Sequence, residues 1–115
     1  MEPRTVLVID DDSSLRLLCR VNLELDGYRV LEAATLAEAR QALPGADVVL
    51  LDVHVGSDDG LAFVEEARAT VQGVGVALLT GESELSSDHG ADAVIGKPFR
   101  IDELRETVER IVSAS

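Results

Sequence analysis

Ala46-Asp47-Val48-Val49-Leu50-Leu51-Asp52 is the stretch whose reading decides the fold. Val48 to Leu51 is an unbroken apolar run, the pattern of a strand covered on both faces in a parallel sheet. Asp52 follows at once, where such a strand delivers its last residue to the sheet's carboxyl edge. In open α/β sheets ligands bind outside that edge, at the point where the strand order reverses. A carboxylate held there is either a turn former or a working group, and its neighbours decide which.

Outward from this strand, the chain alternates strand and helix. Thr5 to Ile9 reads as a buried first strand, followed at once by Asp10-Asp11-Asp12. Ser13 and Ser14 offer N-caps for a helix to about Leu25, with Leu17, Leu18, Val21 and Leu25 on its inward face. Tyr28 to Ala33 is the second strand, and Thr35 caps a short helix carrying Leu36, Ala39 and Leu43. After the central strand, residues 53–58 form a loop. Asp59 caps a third helix with Leu61, Val64, Ala67 and Val71 inward. Val74 to Leu79 makes a fourth strand ending in Thr80-Gly81, and residues 82–89 allow only a short helix or turn. Ala91 to Ile95 is the fifth strand. A last helix faces inward through Ile101, Leu104, Val108, Ile111 and Val112. Such β-α units call for a parallel sheet with helices on both faces. Right-handed crossovers then favour a doubly wound sheet in the order 2-1-3-4-5.

Composition bounds the function. At 115 residues one domain is expected, spanning residues 1–115. No apolar run reaches the length of a membrane span, and the first residues lack signal-peptide character. The single Cys19 cannot pair within the chain, which fits a reducing cytosol, and it reads as a small core residue on the first helix. A net charge of −12 argues against direct nucleic-acid binding. It leaves proteins, phosphorylated groups and cations as partners.

In the 2-1-3-4-5 order, Asp10 and Asp11 leave the first strand beside Asp52. Alone, Asp10 to Asp12 could equally be a helix-capping acidic turn. Three carboxylates in one concavity resist joint ionisation without a counter-charge. Hard oxygen donors of this kind suit Mg²⁺. Thr80 and Lys97 end the fourth and fifth strands on the same edge. A carboxylate nucleophile, a divalent cation, a hydroxyl and an ammonium are together the parts needed to move a phosphoryl group onto an aspartate.

These pieces resemble the receiver domain of bacterial two-component response regulators, a flavodoxin-like fold. The matching segments are Val8-Ile9-Asp10-Asp11-Asp12, Leu50-Leu51-Asp52-Val53 with Asp59-Gly60-Leu61 following, Leu78-Leu79-Thr80-Gly81, and Gly90-Ala91-Asp92 leading to Lys97-Pro98-Phe99. They occur in the family's order along the whole chain. The resemblance implies that Asp52 takes the phosphoryl group from a histidine kinase or histidine phosphotransfer protein. Asp11 and Asp52 would hold Mg²⁺ directly with the backbone carbonyl of His54, and Asp10 through a water. Lys97 and Thr80 would bind phosphoryl oxygens, Thr80 moving as the switch. The side chains of His54 and Glu82 would tune hydrolysis of the acyl phosphate. The implied chain is a cytoplasmic signalling domain, not an enzyme, monomeric in isolation. The alternative is a degenerate receiver serving as a constitutive interaction module. An aspartate-based hydrolase is disfavoured, because the first strand ends in consecutive aspartates rather than Asp-x-Asp.

Departures from the family pattern concern output. Gly56 stands where the family commonly has Pro, implying a less rigid loop. Asp58 replaces a common Met. Val94 replaces the aromatic that rotates with the switch Thr. The short spacing from Thr80 to Gly90 implies a shortened fourth helix. The expected outlets are therefore the loop at residues 53–58 and the first helix, where a phosphodonor would also dock.

Overall fold

In a computed structural model, which describes residues 3–81 and 90–114, the expected sheet is present. Its strands are β1 (Thr5–Ile9), β2 (Arg29–Ala33), β3 (Val48–Asp52), β6 (Gly75–Thr80) and β7 (Ala93–Gly96). They pair in parallel in the order β2-β1-β3-β6-β7. The two strands numbered between β3 and β6, β4 (His54–Val55) and β5 (Asp58–Asp59), form a separate antiparallel pair. The expected shortened helix between β6 and β7 falls on residues 82–89, outside the described residues.

Alternation along the central strands divides the core into two layers, because successive side chains point to opposite faces. Leu7, Ile9, Val49, Leu51, Val76 and Leu78 pack on one face beneath α2 (Leu36–Ala42) and α3 (Leu61–Thr70). Val6, Val8, Val48, Leu50, Ala77 and Leu79 pack on the other beneath α1 (Ser13–Leu25) and α4 (Ile101–Ala114). Both faces are apolar, which is why these strands read as continuous hydrophobic runs.

Three local expectations are corrected. Asp12, not Ser13 or Ser14, caps α1, its Oδ1 accepting from the backbone N–H groups of Ser14 and Leu15. At α3 the cap position is Gly60, while Asp59 Oδ1 accepts from Leu61 N at 2.9 Å. The inward face of α1 is formed by Cys19 and Leu23, with Leu15 packed beside them. Leu17, Leu18, Val21 and Leu25 are instead exposed, Leu25 by 78%. The helix carries two apolar stripes, and the stripe at i, i+4, i+8 from Leu15 is the one that meets the sheet. On α3 and α4 the expected inward residues hold with adjustments. Phe63 and Thr107 join the buried set, while Leu61, Val71, Ile101, Ile111 and Val112 are half-buried.

The segment after Asp52 is also more ordered than a loop. His54 pairs with Asp59 and Val55 with Asp58, so Gly56 and Ser57 form a two-residue turn. Gly56 has φ +63°, the left-handed conformation such hairpin turns require. Glycine at this position therefore serves a tight hairpin rather than a slack connection.

Candidate functional site

Register builds the site. Ile9 pairs with Leu51, so Asp10 and Asp52 emerge side by side from β1 and β3. On the other flank Asp52 pairs with Leu79 and Thr80 with Gly96, which sets Thr80 and Lys97 on the same edge. The Lys97 N–H donates to the Thr80 carbonyl at 2.7 Å and fixes the two ends together. The Lys97-Pro98 bond is cis.

Asp10 is 1% exposed and fully engaged. Its Oδ1 accepts from Asp12 N at 2.9 Å and its Oδ2 from Lys97 Nζ at 2.9 Å. Asp52 Oδ1 lies 3.5 Å from Lys97 Nζ and accepts from His54 N at 3.3 Å. Asp11 is exposed at the rim. Each of the three aspartates offers a carboxylate oxygen within 4.8 Å of the others. Burial, then the charge of Asp10, push the Asp52 carboxyl above its ordinary value, against the opposing pull of the His54 N–H and Lys97. Burial alone would lower Lys97, but its hydrogen bond to Asp10 and the charges of Asp10 and Asp52 leave it above the usual lysine value. A convergent set of hard oxygen donors with only one ammonium against them fits a small divalent cation such as Mg²⁺. The carboxylates of Asp10, Asp11 and Asp52 could hold it.

Thr80 is 3% exposed at the end of β6, and His54 is exposed at the start of the hairpin. Five of the residues singled out from sequence, Asp10, Asp11, Asp52, Thr80 and Lys97, thus occupy one sheet edge, with His54 beside them. Glu82 lies outside the described residues. Val94 is 42% exposed on the edge strand β7. Burial pushes the Cys19 thiol up to about 12, as suits a core residue rather than a reactive thiol.

Residues 6–109 match the response regulator receiver domain family. The chain belongs to that family. Accepting a phosphoryl group in two-component signalling is the general function of that family. It is 36% identical over 107 residues to the KDP operon transcriptional regulatory protein KdpE of Escherichia coli, covering 87% of this chain and 47% of that protein. It is 29% identical over 112 residues to sporulation initiation phosphotransferase F of Bacillus subtilis, covering 91% of this chain and 90% of that protein. The chain spans about half the length of KdpE. Among solved structures, a CheY-like receiver domain protein from Methanospirillum hungatei superposes with a TM-score of 0.87 at 28% identity, covering 96% of this chain and 95% of that one.

Two residues of this receiver's site were not singled out as functional from sequence. Gly60 donates its N–H to the Val53 carbonyl at 2.6 Å, and a Cβ there would collide with the Asp52 carbonyl oxygen. Its available signal was the Asp-Gly pair before an apolar run. Arg16 donates to the Asp10 carbonyl at 2.6 Å. Its signal was an arginine in the first turn of the helix, where the macrodipole favours acids.

Proposed function

We propose that Asp52 is the phosphoacceptor, taking a phosphoryl group from the phosphohistidine of a histidine kinase or histidine phosphotransfer protein in a Mg²⁺-dependent reaction. The observation carrying this reading is the Asp52 carboxylate held at a strand end, 3.5 Å from the Lys97 ammonium and clustered with Asp10 and Asp11. A carboxylate oxygen of Asp52 forms the new O–P bond as the N–P bond to the donor imidazole breaks, and the imidazole nitrogen keeps the electron pair. Asp11 and Asp52 would hold Mg²⁺ directly with the His54 backbone carbonyl, and Asp10 through a water. When bound, that cation supplies charge neutralisation to the transferring group. Lys97, already beside Asp52, pairs with a phosphoryl oxygen. Thr80 offers its hydroxyl to another and so registers phosphorylation. The side chains of His54 and Glu82 tune hydrolysis of the acyl phosphate.

Docking of the donor is assigned to α1. Its exposed stripe of Leu17, Leu18, Val21 and Leu25 begins one turn beyond Asp12, next to the acceptor. A contiguous apolar strip on a strongly acidic protein marks an interaction surface. A helical phosphodonor presenting its histidine at Asp52 would cover this strip with its own apolar face. The consequence of phosphorylation is a change in protein–protein interaction in a cytoplasmic setting.

Incubation with acetyl phosphate and Mg²⁺ is expected to add the mass of one phosphoryl group, and Asp52→Ala is expected to abolish the gain. A wild-type chain that gains no such mass from acetyl phosphate or from any phosphohistidine protein would overturn the reading in favour of a constitutive interaction module.

A further inference from the structure

Asp11 makes no hydrogen bond of its own among the described residues, so its position is set by the backbone of the turn that carries it. That backbone is fixed at few points. The Asp10 N–H donates to the Ala33 carbonyl at 3.1 Å, and Asp12 N is held by Asp10 Oδ1 at 2.9 Å. Asp12 in turn caps α1. Lys97 Nζ anchors the Asp10 carboxylate at 2.9 Å, and the tie on the Asp10 backbone carbonyl is Arg16, whose Nη1 reaches back from the first turn of α1 to it at 2.6 Å. Among the described residues it is the only side chain from beyond the turn seen to bind the Asp10 carbonyl.

Arg16 is itself braced. Its Nε donates to Glu32 Oε1 at 3.1 Å, on the neighbouring strand β2, and its side chain is 16% exposed. Glu32 also binds Arg20 Nη1 at 2.5 Å, and Arg20 reaches Glu24 at 3.6 Å. The guanidinium therefore links three elements, the end of β1, α1 and β2. A planar fork can hold two partners at fixed angles, which a single ammonium cannot.

We infer that Arg16 is a positioning residue for the metal-binding turn. By fixing the Asp10 carbonyl, it sets how Asp11 is presented to a divalent cation. This assignment rests on the reading that Asp10, Asp11 and Asp52 hold Mg²⁺. Arg16 touches no carboxylate of the cluster, so its effect passes through backbone geometry rather than charge pairing. Residues that orient metal ligands from outside the coordination shell commonly change metal affinity by about 10- to 100-fold when removed.

The test is Mg²⁺ titration of the intact chain followed by backbone amide chemical shifts, well below the melting temperature of each variant. Arg16→Gln is expected to weaken Mg²⁺ binding by about tenfold or more. Arg16→Lys, which keeps the charge and guards against misfolding of the first variant, is expected to weaken it too. Arg20→Gln removes the other partner of Glu32 and should bind Mg²⁺ like wild type. An affinity indistinguishable from wild type in either Arg16 variant overturns the assignment, as does an equal loss in Arg20→Gln. Failure of the wild type to bind Mg²⁺ saturably would instead overturn the metal reading, and this assignment with it.

Discussion

Gly60 stands at a point where two backbones come closer than any side chain permits. A Cβ there would overlap the Asp52 carbonyl oxygen and lie 2.9 Å from that of Val53, so the Asp52 peptide would have to move. Gly60→Ala is therefore expected to destabilise the chain by about 1–3 kcal/mol. It should also slow phosphoryl gain from acetyl phosphate, because misplacing a reacting group by ~1 Å costs on the order of 100-fold. Thermal melts and intact-mass time courses read the two effects. A variant with wild-type melting and wild-type kinetics would show that the close approach does no positioning. Asp10, Asp11, Asp52, Thr80 and Lys97 were legible in the sequence because each lies at or just beyond the end of a hydrophobic run, and strand ends in a parallel sheet share one edge. Gly60 and Arg16 act through carbonyl groups, and backbone acceptors leave no mark in a list of side chains.

At the scale of elements, α1 separates what periodicity can and cannot read. Its extent agrees with expectation, but two apolar stripes compete for the sheet, and the wider one lost. Leu15, Cys19 and Leu23 lie so that Arg16 and Arg20, next around the helix, face Glu32 on β2. Those ion pairs accompany this rotation of the helix, and they are long-range facts absent from the local pattern. The consequence is testable. Val21→Gln with Leu25→Gln alters only residues that are 49% and 78% exposed, so stability should change by no more than about 0.5 kcal/mol per substitution. Transfer from a phosphohistidine protein should slow by about tenfold or more, since fully burying a Val or Leu side chain contributes about 1.5–3 kcal/mol. Uptake from acetyl phosphate, which needs no docking surface, should be unchanged. Equal protein-to-protein transfer rates in variant and wild type would remove α1 as the docking element. The hairpin β4–β5 carries a similar lesson: the change from the family's common Pro to Gly56 was visible, but the pairing of His54 with Asp59 depends on a turn geometry that composition alone did not disclose.

Over the whole molecule, charge opposes self-association through the outer surface of α4. The outward side of α4 presents Asp102, Glu103, Glu106 and Glu109, all exposed, on a chain of net charge −12. A two-fold dimer through this surface would set like charges against themselves. Val94, branched at Cβ and stiff, cannot swing inward as an aromatic ring would. We expect the chain to stay monomeric when Mg²⁺ and beryllofluoride, a phosphoryl mimic, are added, as read by light scattering. A dimer whose largest amide shifts fall on β7 and α4 would overturn this. The global architecture itself was legible almost entirely, because two-sided burial makes the parallel strands unmistakable hydrophobic runs.

The contact between Lys97 and Asp10 has a practical side. Lys97 is the only lysine in the sequence, and its side chain is 28% exposed at the mouth of the site. Apart from an amino terminus, this sequence thus carries a single alkylamine, seated beside Asp52. An amine-directed acylating reagent becomes a site-specific probe without any engineering. Its rate of labelling would follow how tightly the ammonium is engaged, first by aspartates and then by a phosphoryl group. The molecule supplies its own reporter of occupancy.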